Sequence, residues 1–213
     1  MILIGIFLID NLKNKDKLNV KEKLNINKIN IKFLFKMFFL SLFLRIILEQ
    51  IITLIDINKT IVIGPSNILE IIMEFIATCI FAPICEEIIF RFGLYEKLNK
   101  KFNIGISILI TSIIFSIIHF YQLDGIIILL TISTIWNYAY YKTNNLLYPI
   151  IFHFLHNLYA LISNFVIDNV FYIILGILSF VIYIILSLKD RRIKPSAFFR
   201  TMNKLFCISK KII

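Results

Sequence analysis

Six long apolar runs, separated by short polar or charged stretches, set the pattern of this chain. Their approximate limits are 33–57, 67–98, 103–121, 125–141, 145–166 and 170–188. Most match the ~20 residues that cross ~30 Å of hydrocarbon as a helix. The second run is too long for one simple span, and Pro83 interrupts it. Proline removes a helical hydrogen bond and clashes with the preceding turn. Residues 67–82 and 85–98 are therefore expected as two helical pieces, bent or broken just before Glu86. The predicted fold is all-α, a polytopic transmembrane helix bundle of about six spans. No internal repeat and no soluble domain is seen. The chain divides into a basic N-terminal segment (1–32), a transmembrane helical domain (33–188) and a basic tail (189–213).

Charge gives the runs a direction. One side collects the Lys/Asn-rich segment 11–32, which has seven lysines and two acids, then Lys97, Lys100 and Lys101, then Lys142, then the tail with Lys189, Arg191, Arg192, Lys194, Arg200, Lys204, Lys210 and Lys211. The other side carries Lys59, Asp124 and Asp168. The positive-inside rule then predicts both termini in the cytoplasm and a multi-pass cell membrane protein. The N-terminal MILIGIFLID lacks a basic n-region and a small-residue cleavage site, so no signal peptide is expected. It is expected to lie in the membrane interface or against the bundle.

Composition agrees. Hydrophobic residues make up 59% of the 213, with mean hydropathy +0.87, against about 45–50% in soluble domains. The net charge of +10 accompanies abundant Ile, Asn and Phe, the mark of an AT-rich coding sequence rather than of a nucleic-acid partner. Membrane lipids are the expected partners, with the basic tail against anionic headgroups. Cys79, Cys85 and Cys207 have no metal-type spacing and imply no disulfide framework. Cys85 abuts Glu86, so a thiol nucleophile is one alternative and a small packing residue the simpler one.

The candidate chemistry lies inside the apolar runs. A charge at the bilayer centre costs roughly 2.5–3.5 kcal/mol on insertion scales, yet Glu86, Glu87 and Arg91 stand together in CEEIIFRF. All three histidines follow in later runs: His119 in FSIIHF, then His153 and His156 in FHFLHN. Glu87 and Arg91 are four apart and share a helix face where they can pair. Glu86 points about 100° away and stays free to act. Phe115 with His119, and His153 with Asn157, have the same spacing, each pair marking one stripe. At ~1.5 Å per residue, Glu86 lies about 17 Å from Lys97 and His119 about 27 Å from Lys101. His153 and Asn157 lie roughly 16 and 22 Å from Lys142, so all four fall near mid-bilayer. A glutamate beside an imidazole can deprotonate a water. A second histidine and an asparagine can donate to a developing oxyanion. Together these amount to amide hydrolysis without a covalent intermediate.

These residues resemble the CAAX-protease and bacteriocin-processing (CPBP, or Abi) family of intramembrane endopeptidases. Its motifs EExxxR, FxxxH and HxxxN/D stand here, in order, as EEIIFR at 86–91, FSIIH at 115–119 and HFLHN at 153–157. They cover roughly residues 70–160. The resemblance implies Glu86 and His119 as the water-activating pair, His153 and Asn157 as the oxyanion site, and Glu87 and Arg91 as support. His156 is not a motif position and reads as structural, on a different face from His153. The resemblance favours metal-free, glutamate-dependent hydrolysis with no required cofactor. The alternative is zinc on Glu86, His119 and His153, although no HExxH motif is present. The substrate implied is a membrane-associated peptide or protein. The composition suggests a bacterium, where prenylated substrates are not expected.

Other readings weigh against this one. Intramembrane Glu, Arg and His also pair across helices to fix bundle geometry, as expected for Arg45 with Glu49. Glu70 and Glu74 lie near the non-cytoplasmic end, placed to line a mouth. A non-proteolytic bacteriocin immunity protein or membrane adaptor retaining the motifs is the functional alternative. A transporter fits less well, because only one run is interrupted and there is no repeat.

Overall fold

The computed structural model describes residues 20–55, 67–119, 123–163 and 169–189. The N-terminal apolar stretch, residues 11–19 of the 11–32 segment, Lys59, Asp168, Cys207 and nearly all of the basic tail lie outside them. The described residues form an all-α bundle of six long helices, as the six apolar runs predict. These are α1 (Ile31–Ile55), α2 (Ile68–Asn99), α3 (Ile104–Ile118), α4 (Leu123–Thr143), α5 (Leu147–Ser163) and α6 (Asn169–Leu188). Four are long and apolar enough to cross a membrane, while α3 and α5 are shorter.

Asparagines begin several of these helices. Asn67 and Asn103 cap α2 and α3, their side chains accepting from the backbone N–H of Glu70 and Ile106. Asn30 accepts from Phe33 at the start of α1. A short polar side chain in this position satisfies a backbone donor that the first helical turn leaves over. Between α4 and α5 the chain turns through Asn144, at φ 50°, a left-handed conformation that asparagine tolerates better than most residues. Pro149 sits in the first turn of α5, where its missing N–H breaks no ladder.

Pro83 does not break α2. The backbone stays helical from Ile68 to Asn99, with π-helical turns at Phe75–Phe81 and Ile88–Tyr95 flanking Ala82–Glu87. The Ala82 N–H reaches back five residues to the Ala77 carbonyl. A wider turn absorbs a residue that cannot donate, as π-bulges do.

Five helices share one core. It joins Leu34 and Met37 of α1, Phe90 of α2, Phe115 of α3, Trp136 of α4 and Phe152 of α5. α3 and α4 meet along small polar side chains: Ser107, Thr111, Ser112 and Ser116 are all buried, and Asn137 donates to Ser112 at 2.8 Å. Small residues allow the close approach that helices in lipid use in place of a hydrophobic drive. α6 packs along α1, where Gly176 meets Ile46 so closely that a Cβ would stand 3.1 Å from its Cγ2. Its outer face exposes Val170, Ile173, Ile174 and Ile177, a surface suited to lipid rather than water. At one end of the bundle Lys23 binds Glu96 at 2.8 Å and also reaches Asn144. Tyr140 donates to the same Glu96 oxygen at 2.7 Å. This ties the segment before α1 to the end of α2 and the α4–α5 turn.

Candidate active site

Three helices bring Glu86, His119 and His153 to one point. Glu86 projects from the middle of α2, His119 follows the last residue of α3, and His153 sits on the second turn of α5. Glu86 Oε2 lies 3.2 Å from His119 Nε2 and 3.9 Å from His153 Nε2. One carboxylate oxygen thus faces the same nitrogen of two imidazoles.

Each imidazole is oriented from behind. His119 Nδ1 lies 2.6 Å from the Phe115 carbonyl, one turn earlier in sequence. A carbonyl can only accept, so Nδ1 donates and Nε2 is left for Glu86. A hydrogen bond between Nε2 and Oε2 then requires one proton shared by the pair. His153 Nδ1 lies 3.0 Å from Glu87 Oε1, and Glu87 Oε2 lies 2.8 Å from Arg91 Nε. A carboxylate paired with a guanidinium accepts, so His153 also donates through Nδ1 and presents Nε2 forward. The helical offset between the adjacent glutamates therefore separates two tasks. Glu86 faces the opening, and Glu87 joins Arg91 to the back of His153.

The Glu87–Arg91 pair is fully buried. Such a pair needs further partners to offset its desolvation. Arg91 donates a second nitrogen to Ser133 at 3.2 Å and lies over the Phe115 ring at 4.6 Å. Trp136 stacks on His153 with centroids 4.9 Å apart. Exposure decides which edge is open: the side chains of Glu86 and His119 are 29% and 21% accessible, against 4% for His153. The accessible edge of the group is therefore that of Glu86 and His119.

Asn157 lies one turn beyond His153 on α5, and its amide is engaged by the Thr78 carbonyl of α2 at 2.8 Å. Pro83 explains the vacancy at that carbonyl. In the i→i−5 register that Ala82 follows, the next donor would be the nitrogen of residue 83, which carries no hydrogen. Asn157 keeps a second amide hydrogen and its own carbonyl oxygen.

Among the described residues, no group of three or more His, Cys, Asp and Glu side chains is arranged to hold a metal ion. Cys85 is half-buried and free. Glu70 stands in the first turn of α2, its carboxylate accepting from the Asn67 side-chain amide at 2.8 Å and its backbone N–H donating to Asn67 Oδ1 at 3.0 Å.

Trp136 and Ser133 escaped the reading of the sequence. Their signal was a Ser133–Trp136–Asn137 stripe at i, i+3 and i+4 in an otherwise apolar run. The Arg45–Glu49 pair forms as its spacing predicts, at 2.7 Å, and it also reaches α5. Arg45 donates to the His156 carbonyl at 2.7 Å, and Tyr159 donates to Glu49 at 2.8 Å. His156 meets the same indole as His153, its ring 5.3 Å from Trp136. The two imidazoles therefore share a neighbour instead of facing apart.

Residues 68–159 match the family model described as Type II CAAX prenyl endopeptidase Rce1-like. The match takes in all three motifs. Comparisons with curated proteins and with solved structures found no match.

Proposed function

We propose, from the match of residues 68–159 to the Rce1-like model of type II CAAX prenyl endopeptidases, that this multi-pass membrane protein hydrolyses a peptide bond of a membrane-associated peptide or protein by direct attack of water. The observation that carries the proposal is the single Glu86 oxygen facing His119 Nε2 at 3.2 Å and His153 Nε2 at 3.9 Å.

The longer separation exceeds a direct hydrogen bond and suits one bridging molecule. A water there loses its proton to the Glu86–His119 pair as its oxygen attacks the scissile carbonyl. His153, protonated at Nε2, and Asn157, through its remaining amide hydrogen, donate to the resulting oxyanion. The proton held by Glu86 and His119 then passes to the leaving amine. Glu87 and Arg91 keep the His153 ring aimed. No step needs a cofactor; a zinc ion on Glu86, His119 and His153 is the alternative that the assay below separates. In this reading residues 33–188 form the protease domain of a bacterial cell membrane protein. The Lys23–Glu96 end and both termini face the cytoplasm, and lipids and the substrate are the partners.

The test is cleavage of membrane peptides by the purified full-length chain in nanodiscs, wild type against Glu86→Gln, with and without a zinc chelator. Loss with Glu86→Gln and indifference to the chelator is the expected result. Loss with the chelator would replace it by the zinc mechanism. Undiminished cleavage by Glu86→Gln would overturn the assignment of Glu86. An immunity or adaptor role would show instead as a cellular phenotype that survives Glu86→Gln.

A further inference from the structure

A buried line of side chains leads from α1 to His153 and has no part in the chemistry proposed above. Trp136 lies between two imidazoles. Its ring is stacked on His153 at 4.9 Å and 30°, and meets His156 edgewise at 5.3 Å and 60°. All three residues are buried. On the far side of His156 stands Ser41 of α1, its Oγ 2.9 Å from Nε2 and 2.9 Å from the Phe38 carbonyl. The hydroxyl has one hydrogen, and the carbonyl can only accept. Ser41 therefore donates to Phe38 and accepts from His156 Nε2–H, which fixes the tautomer of His156. His156 Nδ1 and Trp136 Nε1 are buried without a hydrogen-bond partner. Ser41 is thus the polar contact that orients the His156 ring, and the indole is held by packing and ring contacts with no hydrogen bond of its own.

Resting on the peptidase reading, we propose that Ser41 is a positioning residue for His153. Ser41 sets the His156 ring, His156 and His153 clasp the indole, and the indole holds His153 with Nε2 toward Glu86. Arg45, which donates to the His156 carbonyl at 2.7 Å, holds the backbone of the same turn.

Trp136 is the only tryptophan in the chain, so its emission reports this contact without engineering. The experiment compares wild type, Ser41→Ala and Ser41→Thr, each as full-length protein in nanodiscs. It measures kcat and KM on a peptide that wild type cleaves, Trp136 emission and thermal unfolding. Ser41→Ala is expected to lower kcat by up to about 100-fold, the scale of an ångström-level misplacement, with KM unchanged and emission shifted. Ser41→Thr, which keeps the hydroxyl, restores both. Should Ser41→Ala not fold, His156→Gln takes its place, keeping a donor for Ser41 while removing the ring against Trp136; the same fall in kcat is expected. Full kcat in a folded Ser41→Ala or His156→Gln protein overturns the proposal, as does a rise in KM with kcat unchanged. Absence of cleavage by wild type would instead sink the peptidase reading. Emission then decides the positioning role: a shift reversed by Ser41→Thr sustains it, and an unmoved spectrum overturns it.

Discussion

His153 Nδ1 stands 3.0 Å from Glu87 Oε1 while the other oxygen of Glu87 meets Arg91 at 2.8 Å. The imidazole is thereby linked to a buried cation through a carboxylate that has no exposed surface. Removing the carboxylate has two separable effects, since Arg91 loses its counter-charge and His153 loses its acceptor.

Glu87→Ala is therefore expected to destabilise the protein by about 3–5 kcal/mol, the scale for an uncompensated buried charge. Thermal unfolding in detergent measures it. Ser133→Ala, which takes away one hydrogen bond to Arg91, is expected to cost about 1.5–3 kcal/mol at most. A Glu87→Ala protein as stable as wild type would show that Arg91 does not depend on the pair.

Glu86→Gln should behave in the opposite way. The side chain is partly accessible and the amide has the same shape, so unfolding is expected to stay near wild type while cleavage falls by about 10²–10⁴-fold. Parallel unfolding and cleavage measurements on the two glutamate variants separate the tasks of the adjacent residues. Equal losses of stability would contradict the division.

Pro83→Ala restores a backbone donor beside the Thr78 carbonyl, which Asn157 now occupies. The two donors then compete. Asn157→Ala is expected to cost about 1 kcal/mol in the parent and clearly less in the Pro83→Ala background. A double-mutant cycle read by unfolding tests the coupling; strictly additive effects would show that the proline and the asparagine are independent.

Arg45→Lys keeps the charge but lacks the planar fork that serves Glu49 and the His156 carbonyl together. It is expected to lose stability by about 1 kcal/mol, and Arg45→Ala to lose more. Unfolding of the two variants checks the order, which a purely charge-based contact would not produce for lysine.

The helices were legible in the sequence because they rest on local spacing, and the Glu86–His119–His153 meeting was legible through matching depths and the family resemblance of the motifs. Apolar runs mark the spans, and four-residue intervals put Glu87 over Arg91. What was not legible depends on the register between helices. No single-sequence spacing shows that Trp136 comes between His153 and His156, or that Ser41 of α1 reaches His156. The proline also misled by its usual meaning. It signals a break where backbone donors must pair four residues back, and the π register at Ala82 removes that requirement. The depth of His119, about 27 Å from Lys101 along a continuous helix, rested on a third span running to residue 121. α3 ends at Ile118, so His119 stands at a helix terminus rather than inside a longer helix.

That terminus has a consequence for supply. α3 has 15 residues and is about 22 Å long, less than the ~30 Å of a hydrocarbon layer. The last carbonyls of a helix have no partners within it, and bare carbonyls do not persist against acyl chains. Of these, Phe115 is already served by His119. Ile117 accepts from the His119 backbone N–H. The accessible edge of Glu86 and His119 therefore lies beside a polar helix end. There the attacking water of the proposed mechanism would meet hydrogen-bonding groups and not a continuous apolar wall.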